Sequence, residues 1–243
     1  MSEYVVYLGD MEGEFSLNSR ALQGHKYRVQ KDRPFKLISN DDMWIASMRG
    51  YRVLSLINFT PVIKRIPLLD ESYLPKWDAA FLEGLVAALP DPARVIEIGT
   101  GKGNSLVRIL YGLALHEDVI VWSIDLEEKK EAQQYVEKAE VPNWRYRMVV
   151  SDSVLYAHKF THDVDFVYVD GSHSYDGVTR DIAAWEPKLK VGGVMCFDDY
   201  GDPLHEVTYA VDEAMFTEGW RLIGAVGVLI AFEKVDKDVH DEE

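Results

Sequence analysis

The residues of this 243-residue chain best suited to chemistry are a set of carboxylates and one imidazole, and they recur at the ends of short apolar runs. Val95-Ile-Glu-Ile-Gly-Thr-Gly-Lys-Gly103 places Glu97 just before a glycine turn, with Gly99, Thr100 and Gly101 at the bend. Glycines let a backbone turn sharply and come close to a ligand, and a helix opening beyond them offers free N–H groups. A carboxylate buried in the preceding strand needs partners, which backbone amides and a cationic ligand would supply. Asp125 closes the next apolar run, where an acid can accept both hydroxyls of a ribose or cap the following helix. Asp152, in Ser151-Asp-Ser153, is placed to meet an adenine amino group or to cap a short helix.

Two further runs end in Tyr168-Val-Asp-Gly-Ser-His-Ser-Tyr175 and Cys196-Phe-Asp-Asp-Tyr200, which bring Asp170, Asp198 and Asp199 towards one rim. Singly, a strand-end Asp reads as a helix or turn cap. Together they repel one another unless a cation joins them. Oxygen donors without cysteine suit magnesium, calcium or manganese better than zinc. His173, three places after Asp170, is the best candidate base, because an unperturbed imidazole titrates at about pH 6.5. A neighbouring cation would acidify a bound hydroxyl and so demand less basicity of it. His205 could line the same pocket. His116 and His158 fall near helix ends, where histidine serves the helix dipole.

These groups act together only if the chain carries them to one edge, and the hydrophobic pattern does so. From Pro75 onward, strands at 94–98, 119–124, 145–150, 164–169 and 194–197 alternate with helices at 104–115, 127–139, 154–158, 176–189 and 204–217. A helix opened by Pro75 shows Trp77, Phe81, Leu85 and Leu89 at i+4, and runs at 221–225 and 228–233 read as a closing hairpin. The pattern predicts an α/β fold: a doubly wound, mainly parallel seven-stranded sheet with helices on both faces. Ligands in such sheets bind at the carboxyl ends of the strands. Residues 1–70 differ, with alternating runs at 4–8, 25–30, 35–38, 51–57 and 61–66 and a short helix at 41–48, and predict a small β-rich accessory segment. The main domain is expected over 71–235 and a solvated acidic tail over 236–243.

Composition bounds the partners. A net charge of −15 repels a phosphate backbone, so no nucleic-acid partner is expected. No apolar run reaches the roughly 20 residues of a membrane span, and the N-terminus lacks the basic region of a signal peptide. The single cysteine, Cys196, sits in an apolar run and reads as a buried strand residue in a reducing, cytoplasmic setting. Homo-oligomerisation is left open by the sequence.

The glycines fall at 99, 101 and 103, whereas a dinucleotide fingerprint wants its third glycine where Asn104 stands. With Asp125, Asp152, Asp170 and the terminal hairpin, this turn resembles the class I S-adenosylmethionine-dependent methyltransferases, whose fold is Rossmann-like. The resemblance covers about residues 75–235. It implies that Glu97, Gly99, Thr100 and Gly101 surround the methionine part of S-adenosylmethionine, that Asp125 holds the ribose and that Asp152 meets the adenine. Asp170-Gly-Ser-His173 with Asp198-Asp199 further resembles the metal-dependent O-methyltransferases of the catechol and macrolide-sugar types. This narrower resemblance implies Asp170, Asp198 and Asp199 as magnesium ligands, His173 as base, and a small-molecule hydroxyl, sugar or phenol-like, as acceptor. The N-terminal part matches no module of those enzymes.

Two alternatives stay open on the residues alone. One is a nicotinamide-dependent oxidoreductase, against which Asn104 counts. The other is a non-catalytic binding module on a methyltransferase fold, against which the retained acids and His173 count. Tyr73, Trp77, Tyr175, Trp185 and Tyr200 could line an acceptor pocket, with core packing an equal account of Trp77 and Trp185.

Overall fold

The computed structural model describes residues 74–139 and 141–236, and the backbone of five short strands before them. Those strands are β1 (Tyr4–Tyr7), β2 (Gly13–Ser16), β3 (Lys26–Val29), β4 (Phe35–Leu37) and β5 (Arg52–Ser55). β1 pairs antiparallel with β4 and β5, and β2 with β3. Four of the expected runs are therefore strands. β2 was not expected, because Gly13-Glu-Phe-Ser16 has no apolar alternation. The run at 61–66, the helix at 41–48 and the tail beyond Asp236 lie outside the described residues.

From Lys76 the elements alternate: α1 (Lys76–Ala87), β6 (Ala93–Ile98), α2 (Asn104–Gly112), β7 (Val119–Asp125), α3 (Lys130–Lys138), β8 (Tyr146–Val150) and α4 (Ser153–Lys159). Then follow β9 (Val164–Val169), α5 (Tyr175–Trp185), β10 (Leu189–Phe197), α6 (Val207–Met215), β11 (Trp220–Val226) and β12 (Leu229–Lys234). Among the described residues the large sheet has seven strands in the order β11-β12-β10-β9-β6-β7-β8. β8, β7, β6, β9 and β10 run parallel, while β12 is antiparallel to β10 and to β11, as the hairpin predicts.

Strands covered on both sides read as continuous apolar runs, and here successive residues feed two cores. Val95, Phe166 and Tyr168 pack on one face with Phe81 and Leu85 of α1, Leu106 and Leu110 of α2 and Tyr135 of α3. Ile96, Val167 and Val169 pack on the other with Ile182 and Trp185 of α5 and Val211 of α6. Trp185 is therefore a core residue and not a pocket wall. Trp77 is 47% exposed.

Strand order reverses between β6 and β9, since the chain builds outward from β6 through β7 to β8 and then returns to β6's other edge. Such a reversal opens a crevice at the carboxyl ends of the strands. Backbone bonds continue past the strand ends there. The Gly99 N–H donates to the Ile124 carbonyl at 2.8 Å, the Asp170 N–H to Ile98 at 2.9 Å and the Asp198 N–H to Val169 at 3.1 Å.

Candidate active site

The crevice has a glycine-turn half and an acid half. In the glycine-turn half Glu97 is fully buried, directly opposite Ser123 in the β6–β7 register. The Ser123 hydroxyl donates to Glu97 Oε2. Thr100 Oγ1 lies 2.6 Å from Ser123 Oγ and extends the chain. Burial pushes the Glu97 carboxyl up to about 7, against the hydroxyls of Ser105 and Ser123, and the charge of Asp125 adds to the rise. Glu97 Oε1 completes no hydrogen bond. A buried acid with an unsatisfied oxygen beneath a glycine turn fits a cationic ligand.

The turn is held by Asp125. Thr100 and Gly101 donate their N–H groups to Asp125 Oδ2 at 3.1 and 3.3 Å, and the Glu127 N–H reaches Oδ1 at 3.3 Å. Gly99 has φ +92°, and a Cβ there would overlap the Asp170 carbonyl. The capping role for Asp125 is therefore corrected: α3 starts at Lys130 rather than near 127, and Lys129 precedes it without a side-chain cap. Lys129 Nζ instead sits 3.4 Å from Asp125 Oδ1. An open cleft lies between Thr100, Asp125, Lys129 and the β8 residues Met148, Val149 and Val150. Asp152 caps α4, its Oδ1 accepting from the Leu155 N–H at 2.9 Å.

In the acid half, Asp198 is 8% exposed, and both its oxygens accept protein hydrogen bonds. The Tyr168 hydroxyl donates to Oδ2 at 2.8 Å and the Asp199 N–H to Oδ1 at 2.9 Å. Burial raises Asp198 to about 6, partly offset by those two donors, with Asp199 and Asp78 raising it further. Asp170 keeps 27% of its side chain open at the mouth of the rim. Burial of the carboxyl, then the charges of Asp198, Asp199 and Glu97, still drive its pKa well above the carboxylate range. Acids held this close favour protonation, and a bound cation would relieve them. Asp199 adopts φ 59°, a left-handed backbone uncommon outside glycine. Its Oδ2 lies 3.2 Å from His173 Nε2, and Asp170 Oδ1 lies 4.0 Å from the same nitrogen.

Asp170, His173, Asp198 and Asp199 thus share one rim, while Glu97, Gly99, Thr100, Gly101 and Asp125 share the adjoining turn. Three residues were not singled out from sequence. Ser123 supports Glu97, Tyr168 supports Asp198, and Lys129 pairs with Asp125. The first two carry a signal readable once strands are aligned. Ser123 faces Glu97 in register, and Tyr168 aligns with Cys196, two residues before Asp198, so that period 2 puts Tyr168 beneath the acid. His205, a lesser candidate, also lies at the rim, with its ring 4.3 Å from that of His173.

Comparison with known proteins agrees with the fold. Residues 96–200 match a family described as a methyltransferase domain, a span from β6 through the acid rim. A Corynebacterium glutamicum protein of solved structure is 20% identical, with a TM-score of 0.57 over 72% of this chain and 86% of that one. The O-methyltransferase NovP is 16% identical, with a TM-score of 0.53 over 65% of this chain and 79% of its own. CalS11, a TDP-rhamnose 3′-O-methyltransferase of calicheamicin biosynthesis, is 16% identical, with a TM-score of 0.51 over 70% and 88%. At these identities the likeness is one of fold. No curated protein matches the chain in sequence.

Proposed function

We propose that this chain, a class I methyltransferase in fold with a methyltransferase-domain match over residues 96–200, moves the methyl group of S-adenosylmethionine onto a small-molecule or sugar hydroxyl, with His173 as base and a divalent cation at the acid rim. One observation carries this: Gly99 packs directly against the Asp170 carbonyl, so the donor turn and the acid rim share a wall. A methyl donor on one side of that wall and a hydroxyl on the other stand in reach of each other.

When bound, S-adenosylmethionine supplies a methyl already activated on its sulfonium, so the protein mainly aligns the acceptor oxygen and removes its proton. Glu97 offers a buried carboxylate to the cationic methionine end. Asp125 exchanges Lys129 for the ribose hydroxyls, and the β8 end with Asp152 lines the adenine. Asp170, Asp198 and Asp199 would hold the cation, magnesium by their oxygen chemistry, which would bind and acidify the acceptor hydroxyl. Asp199 orients His173 for the proton. The O-methyltransferase neighbours in fold are consistent with a sugar or phenol-like acceptor. On this reading 71–235 is the catalytic unit and 1–70 an accessory segment.

Calorimetry with S-adenosylhomocysteine is the first test. Micromolar binding is expected, with none for NADH, and silence at millimolar ligand would sink the methyl-transfer reading. In turnover assays over hydroxyl acceptors, His173→Ala should lower kcat by about 10²–10⁴ with cofactor affinity kept. Asp170→Ala and EDTA should each abolish turnover, and activity indifferent to both would remove the cation.

A further inference from the structure

We infer that His205 is a nitrogen ligand of the rim cation alongside Asp199, and that the site consequently favours an imidazole-accepting divalent ion such as manganese(II) or cobalt(II) over magnesium. The inference rests on the cation-assisted reading above and adds one ligand and a class of ion to it.

Asp199 lies between two imidazoles, and the two distances differ in kind. Its Oδ2 is 3.2 Å from His173 Nε2, at the outer edge of a hydrogen bond, as befits a base and the acid that orients it. Its Oδ1 is 4.0 Å from His205 Nε2, which no hydrogen bond spans. Two donors that far apart can share one cation, with bonds of about 2.0–2.2 Å to each. The donor atoms of His173, Asp199 and His205 all lie within 4.8 Å of one another.

His205 is also fixed by backbone contacts. Its N–H donates to the Asp202 carbonyl at 3.2 Å, and the next residue's N–H, that of Glu206, donates to the His173 carbonyl at 2.9 Å. Glu206 Oε2 accepts from the Tyr175 N–H at 3.0 Å, so residues 205–206 clasp the loop that carries His173. The carboxylates meanwhile share ligation unequally. Both Asp198 oxygens already serve Tyr168 and Asp199, which leaves Asp170 and Asp199 as the freer acids and His205 as the additional donor beside them. Magnesium and manganese(II) both take oxygen donors, but affinity for a nitrogen donor rises along the first-row ions from manganese(II) to cobalt(II), so an imidazole added to the acids tilts the site away from magnesium.

Manganese(II) titrated into the full chain without cofactor, followed by pulsed electron paramagnetic resonance, tests the assignment. Nitrogen coupling to the bound ion is expected in the wild type, absent in His205→Gln and retained in His173→Gln. Calorimetry should show manganese and cobalt affinity falling at least tenfold in His205→Gln, while magnesium affinity stays within about threefold. Circular dichroism and S-adenosylhomocysteine binding on the same samples report whether each variant is folded. An ion bound without nitrogen coupling, coupling that persists in His205→Gln or disappears in His173→Gln, or no ion bound would each overturn the assignment. A wild type that binds manganese through nitrogen but no S-adenosylhomocysteine would instead overturn the methyl-transfer reading and leave this one standing.

Discussion

Burial holds the Glu97 carboxyl up at about 7, so the folded chain keeps its proton to a higher pH than a free glutamate does. An unfolded glutamate releases its proton at about 4.5. Between those values the folded state binds more protons than the unfolded one, so stability declines as pH rises from about 4.5 to about 7 and is level above. Glu97→Gln removes that slope. At pH 8 and without ligand the variant should be more stable by up to about 3 kcal/mol, and the difference should vanish near pH 4.5, as thermal unfolding across pH would report. The same change should weaken S-adenosylhomocysteine binding by at least tenfold, the cost of losing a hydrogen bond to a charged group. Stability and binding moving in opposite directions would mark Glu97 as a ligand group; a variant less stable at pH 8 would make it structural. The residue itself was visible in sequence as an acid where only apolar residues belong. Its partners Ser123 and Ser105 were not, because they come from other elements.

At the scale of elements, the turn between β6 and α2 is a wedge rather than a mere connection. Gly99 needs φ +92° and has no room for a Cβ beside the Asp170 carbonyl, whereas Gly101, at φ +51°, has open space around it. Gly99→Ala should cost about 2–3 kcal/mol and abolish cofactor binding, because β9's end must move to admit the methyl group. Gly101→Ala should cost only about 1–2 kcal/mol, the strain of a left-handed backbone. Equal losses in paired denaturant titrations would show that the wedge is unimportant. The alternation of strands and helices was legible because period 2 and period 3.6 are written locally. The start of α3 was misplaced because Asp125 bonds back to residues 100 and 101, a contact between two turns that no local pattern announces.

At the scale of the molecule, a net charge of −15 and the acid rim make the chain responsive to cations in two separable ways. Monovalent salt should raise the midpoint of thermal unfolding modestly by screening general repulsion. Millimolar manganese should raise it by several degrees more than sodium chloride of equal ionic strength, since an ion bound only by the folded state stabilises it by mass action. Equal shifts would mean screening alone. The described helices include none long and apolar enough to cross a membrane, in keeping with the apolar runs of the sequence.

The sequence by itself determined the alternating strands and helices of the large sheet, which residues end those strands and that the ends carry acids, because hydrophobic period and turn chemistry act over a few residues. The tertiary structure alone decided which ends meet. The reversal of strand order at β6 and β9 sets Gly99 against Asp170, and the pairing of β9 with β10 lays Tyr168 under Asp198. Those contacts join residues 30 or more positions apart, and only the sheet's register brings them within bonding distance.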